Sequence, residues 1–304
     1  MRITPKEIRK DYSKYKYVYF MAVPVVAYFI IFAYIPMYGV LIAFQDYNPM
    51  RGFLHSSWVG FKHFTNFFNS VYAFRIIKNT LLISVYDVIF GFPAPILLAL
   101  LLNEVRKKML KRTVQTLTYI PHFISMVVVA GLIIDFTSSG GLLSNLALWI
   151  SGQEGNLLSY PQYFRSIYIG SGIWQEIGFG SIIYLAAIAG INPELYEAAT
   201  MDGAGRWKKA VYVTLPCIAP TIIILFILRL GSIMNVGFEK ILLLYSPLIY
   251  DKADVISTFV YRKGLIDFDY SSSAAIGLFN SVINFVLLVG ANWLSRKLTR
   301  TSLW

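Results

Sequence analysis

Apolar residues in this chain fall in long unbroken runs separated by shorter polar stretches. Six runs stand out, at about 18–44, 79–102, 117–136, 166–190, 217–237 and 274–294. Runs of roughly 20 apolar residues match the ~30 Å hydrocarbon core of a bilayer. The pattern predicts an all-α integral membrane protein: a short segment 1–17, then one transmembrane domain over 18–304 with six helices. Pro24, Pro36, Pro93, Pro95, Pro121 and Pro220 lie inside the runs, where neighbouring helices can satisfy the carbonyls that proline frees. Outside them, Phe61, Phe64, Phe68 and Val71 recur at helical spacing. They predict a short amphipathic helix, either lying on the membrane surface or packed on the spans. GGLLSNLALWI at 140–150 is a second such candidate.

Composition agrees, with 57% hydrophobic and 14% charged residues, where a soluble domain carries about a quarter charged. The net charge of +11 would suit a nucleic-acid partner, but its distribution points to topology instead. Of the 27 Lys and Arg, seventeen fall in 1–17, 103–116, 191–216 and 295–304, and nine in the alternate segments. Positive residues stay inside, so both termini and the 191–216 segment are cytoplasmic, and no nucleic acid is implied. The first run is too long for a signal peptide and lacks a small-residue cleavage site. Cys217 is the sole cysteine, which excludes a disulfide or a two-cysteine metal motif. His55, His63 and His122 are scattered without metal-ligand spacing, which fits surface or interfacial roles and predicts no metal.

One polar segment interrupts the apolar chain: LYEAATMDGAGRWKKAVYVTLP at 195–216. Asn192 is a good N-cap, Pro193 suits the first helical position and Glu194 complements the dipole there. A short helix therefore starts at about Pro193, and Gly203 lets the chain leave it with positive φ. A second short helix through RWKKAVYVTL is expected to end at Pro216, the entry to the fifth span. Ala198 and Ala199 permit close approach, while Glu197 and Asp202 offer carboxylates to a partner. On composition alone, an ordinary amphipathic connector is the better reading.

The order Glu197-Ala198-Ala199, Gly203, Val213 and Leu215-Pro216 resembles the EAA signature of permeases in binding-protein-dependent ABC importers; Val213 departs mildly from the usual isoleucine. The resemblance extends to FAYIPMYGVLIAFQDYNP with WVGFKHF, to 238–265 and to 274–298, which look like the carbohydrate (maltose-type) permeases, in particular their complex-oligosaccharide and polysaccharide subgroup. It implies a type I importer permease in the bacterial cytoplasmic membrane, whose elbow 192–216 seats in a separate ATPase. Implied partners are a second, similar permease (usually an unlike subunit, though a homodimer stays open), two ATPase subunits and an extracytoplasmic sugar-binding protein. ATP and Mg2+ would bind the ATPase, and this chain itself has no G-x-x-x-x-G-K-[ST] phosphate loop.

Ionisable residues at bilayer depth are costly and mark function or pairing. Asp87, Glu176 and Arg229 are the three. Counting residues from the span ends puts Glu176 and Arg229 at ~15 and ~18 Å depth, so an Arg229–Glu176 pair is geometrically open, with Asp87 as the rival partner. Such a pair either fixes helix packing or reaches sugar hydroxyls. Aromatic faces suit pyranose rings and amides suit hydroxyls. IWQEIGFGS offers Trp174, Gln175, Glu176, Gly180 and Ser181, and LGSIMNVGF offers Ser232, Asn235 and Phe238; the resemblance implies that these two stretches line the path. Gly178 and Gly180 also suit close helix approach. No catalytic constellation emerges, so the chain reads as a transport subunit and not an enzyme. The competing reading is an ion-coupled secondary transporter using Glu176 and Asp87, whose folds often carry repeats that this chain lacks.

Overall fold

A computed structural model describes residues 14–299 together with 302 and 303. The basic residues Arg2, Lys6, Arg9, Lys10 and Arg300 lie outside them. Six helical stretches are long and apolar enough to cross a membrane: Lys16–Phe44, Ala73–Glu104, Met126–Ser151, Pro161–Ala189, Arg206–Leu230 and Tyr270–Lys297. We refer to them as spans one to six. The only sheet among the described residues is a two-residue antiparallel pairing of Gln45–Asp46 with Ser57–Trp58.

Three of the spans carry a π turn, and each turn ends two residues before a proline: Ile30–Tyr34 before Pro36, Asp87–Gly91 before Pro93, and Ala210–Thr214 before Pro216. Proline lacks an N–H and its ring collides with the carbonyl four residues back. A π turn widens the helix there and absorbs the ring without breaking it. This changes the boundary predicted at Pro216. No separate second helix precedes it: Arg206–Leu230 is one continuous span, with the π turn at 210–214 carrying Pro216 inside it.

Other boundaries also differ, among them the end of span three, which runs on to Ser151 and takes in the 140–150 stretch predicted as a separate amphipathic helix. The predicted third span began at 117, but Lys108–Tyr119 is its own amphipathic helix, ended by a 3-10 turn over Ile120–Phe123 that contains Pro121. Ser125 then accepts a hydrogen bond from Val128 N–H and starts Met126–Thr137. The fifth span stops at Leu230, seven residues short of its predicted end, because 231–237 leaves the helix. The helix predicted around 61–71 is Lys62–Phe68. It packs on span six through Phe67 and His63, both buried, while Phe61, Phe68 and Val71 stay exposed. His63 donates from Nε2 to the Gln45 carbonyl at 3.1 Å, so it is an interior residue and not a surface one. Beside it, the hydrogen bond from Lys62 holds the Asp46 carboxyl below the usual carboxylate range.

Packing concentrates in spans two to six and the segment between the last two. One cluster joins Ile83, Val129, Phe164, Ile241 and Val255; a second joins Phe67, Ile76, Met234, Phe259 and Ile276. A third, around Ile96, Ala99, Tyr184, Ile188 and Ile218, ties spans two, four and five together near the elbow. Span one buries only Ala43, leaving its apolar side chains for lipid or a neighbouring subunit.

Outside the spans, the 238–269 segment is held by a charged knot. Asp254 is fully buried, and Arg262 Nη2 donates to its Oδ2 at 2.7 Å, with Arg75 at 3.7 Å and the Thr258 hydroxyl on Oδ1 at 2.9 Å. Asn79 donates to the Asp251 and Asp254 carbonyls at 3.0 Å and accepts from Arg165 at 2.7 Å. A buried charge persists only when paired and hydrogen-bonded, and this one has three partners.

Candidate functional site

A cavity of about 720 Å³ opens between spans two, four and five and the segment that follows span five. Its charged lining is Asp87, Glu176 and Glu239 against Arg229 and Lys240. Asp87 heads the π turn of span two, and its carboxylate lies over Gly91, where any Cβ would come within 2.6 Å of it. Arg229, on the last turn of span five, reaches across from its Nε to Asp87 Oδ2 at 2.9 Å, and its Nη2 also bonds that oxygen.

Arg229 is therefore not paired with Glu176. The Glu176 carboxylate meets His122 Nδ1 at 3.0 Å, and the His122 ring stacks on Phe179 with centroids 3.9 Å apart and planes 2° from parallel. The residue-counted depth of Arg229 failed because span five runs from Arg206 to Leu230 and not from 217 to 237, placing Arg229 at its far end beside span two. His122, read from sequence as peripheral, enters because the turn at Pro121 delivers its ring to span four.

Six of the eight path candidates line the cavity: Gln175, Glu176, Gly180, Ser232, Asn235 and Phe238. Trp174 and Ser181 do not. Span four is helical throughout, so its lining recurs every three to four residues, and Trp174 falls on another face, half-exposed. Ser181 is fully buried, its hydroxyl donating to the Gly178 carbonyl at 2.6 Å. Asn235 is positioned by span six: its Oδ1 accepts from Asn280 Nδ2 at 2.9 Å and Asn284 Nδ2 at 3.1 Å. The two glycines part company. Gly178 sits against helix 108–119, where an added Cβ would be 2.1 Å from the Thr118 carbonyl oxygen; at Gly180 the nearest atom would be Pro95 Cγ at 3.1 Å.

Lys240 and Tyr168 are lining residues that the sequence reading passed over. Lys240 falls in a stretch read as a loop between spans, yet it is only 4% exposed. Its Nζ donates to the Tyr168 carbonyl at 3.0 Å and lies 4.8 Å from the centre of the Tyr168 ring. Burial draws the ammonium down to about 8, against the pull of Asp87 and Glu176. Among the described residues, no group of three or more His, Cys, Asp and Glu side chains could hold a metal ion.

At the opposite end, Pro193–Met201 is a helix capped by Asn192, whose Oδ1 accepts from Glu194 N–H at 3.1 Å. Gly203 leaves it at φ +71°. The turn is then fastened to span five: Lys209 Nζ donates to Thr200 Oγ1 at 2.7 Å, and the Tyr196 and Thr214 hydroxyls meet at 2.9 Å. Glu197, Ala198, Asp202, Gly203 and Pro216 are exposed, whereas Ala199 and Leu215 are half-buried. Met201 and Trp207 stand out at 88% and 78% exposure, on an apolar surface that carries charges of both signs, with Glu197 and Asp202 beside Arg206 and Lys208.

Six spans, a polar cavity among them and an exposed elbow define a membrane transport subunit, and comparison with known proteins gives its kind. Residues 91–300 match the family of binding-protein-dependent transport system inner membrane components. The chain is 45% identical over 290 residues to protein LplB of Bacillus subtilis, covering 95% of this chain and 91% of that protein. It is 45% identical over 283 residues to the polygalacturonan/rhamnogalacturonan transport system permease protein YteP of the same organism, covering 93% and 88%. A crystal structure of a bacterial ABC transporter involved in import of the acidic polysaccharide alginate is similar with a TM-score of 0.89 and 48% identity, over 96% of this chain and 99% of that one. A second structure of an alginate ABC transporter, in complex with an alginate pentasaccharide-bound periplasmic protein, has the same TM-score and 47% identity. The chain belongs to the inner-membrane component family of binding-protein-dependent transport systems. It is the multi-pass permease of an ABC importer in the bacterial inner membrane, not itself an enzyme, and the ATPase of such a system is a separate subunit. The ion-coupled reading is thereby set aside, and Asp87 and Glu176 have Arg229 and His122 as partners.

Proposed function

We propose that this permease carries fragments of an acidic polysaccharide, pairing with a second, unlike permease so that the two enclose one path. The observation that carries this is the cavity: about 720 Å³, within the ~300–1,000 Å³ range of ligand sites, lined by amides, aromatic rings, two cations and three carboxylates, two of which are already held by Arg229 and His122. Its similarity to an alginate importer and to a polygalacturonan/rhamnogalacturonan permease supports a uronic-acid cargo. Gln175, Glu176, Gly180, Ser232, Asn235 and Phe238 are the contacts we assign to the path. An extracytoplasmic binding protein delivers the sugar, and a dimer of ATPase subunits, holding ATP and Mg2+, takes up the elbow through Glu197, Ala198, Ala199, Asp202 and Gly203, with Leu215 and Pro216 shaping span five at the π turn just beyond it.

The test is co-purification with the neighbouring subunits, followed by ATPase measurement with the binding protein loaded with oligogalacturonate or oligoalginate. Stimulation that Gly203→Val or Glu197→Lys abolishes in an intact complex supports the reading. Stimulation only by neutral oligosaccharides overturns the cargo, and indifference to both substitutions overturns the elbow.

A further inference from the structure

The charges in the cavity are unequally matched. Arg229 is bonded to Asp87, and Glu176 to His122. Glu239 and Lys240 take part in no ion pair among the described residues, and while Glu239 is exposed, Lys240 is buried. Its ammonium is almost entirely withdrawn from solvent, carries three donors and spends one on the Tyr168 carbonyl. A buried cation without a contacting counter-ion is costly, and the Tyr168 ring face and the more distant Asp87 and Glu176 carboxylates offset only part of that cost. The neighbouring wall keeps room beside it. Gly172, on span four, lines the same cavity, and even an added Cβ there would reach Lys240 Nζ only at 3.5 Å, so a larger side chain would cover the ammonium.

We propose that Lys240 is the specificity-determining contact of the cavity: its two remaining donors take the carboxylate of a uronic-acid residue, and Gly172 keeps the approach open. The inference rests on the acidic-cargo reading above. A neutral sugar gains little at this position, because hydroxyls do not neutralise the buried charge. A carboxylate gains a charge-assisted hydrogen bond, the stronger kind. Lys240 also ties the 238–244 helix to span four, so a test must separate recognition from tethering.

The discriminating variants are Lys240→Gln, which keeps an N–H donor for the Tyr168 carbonyl and removes the charge, and Lys240→Arg, which keeps the charge. The complete transporter, reconstituted in proteoliposomes, is given a uronate oligosaccharide and the same oligosaccharide with its carboxylates reduced to hydroxymethyl groups, each saturating the binding protein. The readout is the ratio of the two uptake rates. Wild type is expected to favour the uronate. Lys240→Gln should lower that ratio by about tenfold, the scale of one charge-assisted hydrogen bond, and Lys240→Arg should restore most of it. Gly172→Leu should lower it as Lys240→Gln does. If Lys240→Gln slows both cargoes equally, Lys240 is only a tether and the assignment falls while the acidic cargo stands. An unchanged ratio has the same meaning. If wild type itself prefers the neutral oligosaccharide, the acidic-cargo reading and the assignment fall together.

Discussion

Arg229, at the outer end of span five, donates from Nε to Asp87 Oδ2 at 2.9 Å across the cavity wall. Asp87 opens a π turn forced on span two by Pro93, so the acid's position depends on the proline six residues later. The two side chains keep 31% and 51% of their surface, so the pair is wetter than a core ion pair. Loss of either partner should cost about 1–3 kcal/mol, the range for a hydrogen bond to a charge, and not the ~3–5 of a fully buried pair. Asp87→Ala and Arg229→Ala should each lower the melting temperature and uptake of the purified transporter. The double variant should lose less than the two summed; strict additivity would refute the coupling.

Gly178 lies where no side chain fits, since its Cβ would sit 2.1 Å from the Thr118 carbonyl. Gly178→Ala must push helix 108–119 off span four, at a cost of about 1–3 kcal/mol. Gly180→Ala meets only Pro95 Cγ at 3.1 Å and should cost less. Subunit yield and melting temperature of the two alanine variants rank them, and equal behaviour would contradict the close crossing.

The elbow turns on Gly203 at φ +71°. A β-branched residue resists that conformation, so Gly203→Val should cost about 1–2 kcal/mol, uncouple binding-protein-stimulated ATPase activity and leave the spans folded. Asn adopts the left-handed region more readily, and Gly203→Asn should retain most of the stimulation. A complex in which Val and Asn behave alike would show that the backbone angle is not what matters.

Asp254 is the buried anchor outside the spans, holding Arg262, Arg75 and Thr258. Asp254→Ala strands the Arg262 guanidinium and should destabilise the permease by about 3–5 kcal/mol. Limited proteolysis across 238–269 would report it, with faster cleavage expected than in wild type.

Much was legible along the chain. Span count, the helical elbow with its Asn192 cap and its glycine exit, and the absence of a phosphate loop all follow from local composition and short-range geometry. The family signature at Glu197–Pro216 narrowed these to a transport subunit. Local signals also showed that Asp87, Glu176 and Arg229 each needed a partner, because a charge at that depth is costly wherever it sits.

Which partner each one has was decided only in three dimensions. Pairing depends on where helices stop and how far their faces rotate: span five ended at Leu230, a π turn turned Asp87 toward it, and Pro121 delivered His122 to Glu176. The same holds for Trp174 and Ser181, which sit in a polar stretch yet face away from the cavity, and for Lys240, which sits between spans yet is buried in it. Hydropathy records how apolar a segment is, and helix ends, proline-driven turns and close glycine crossings set which side of it meets which neighbour.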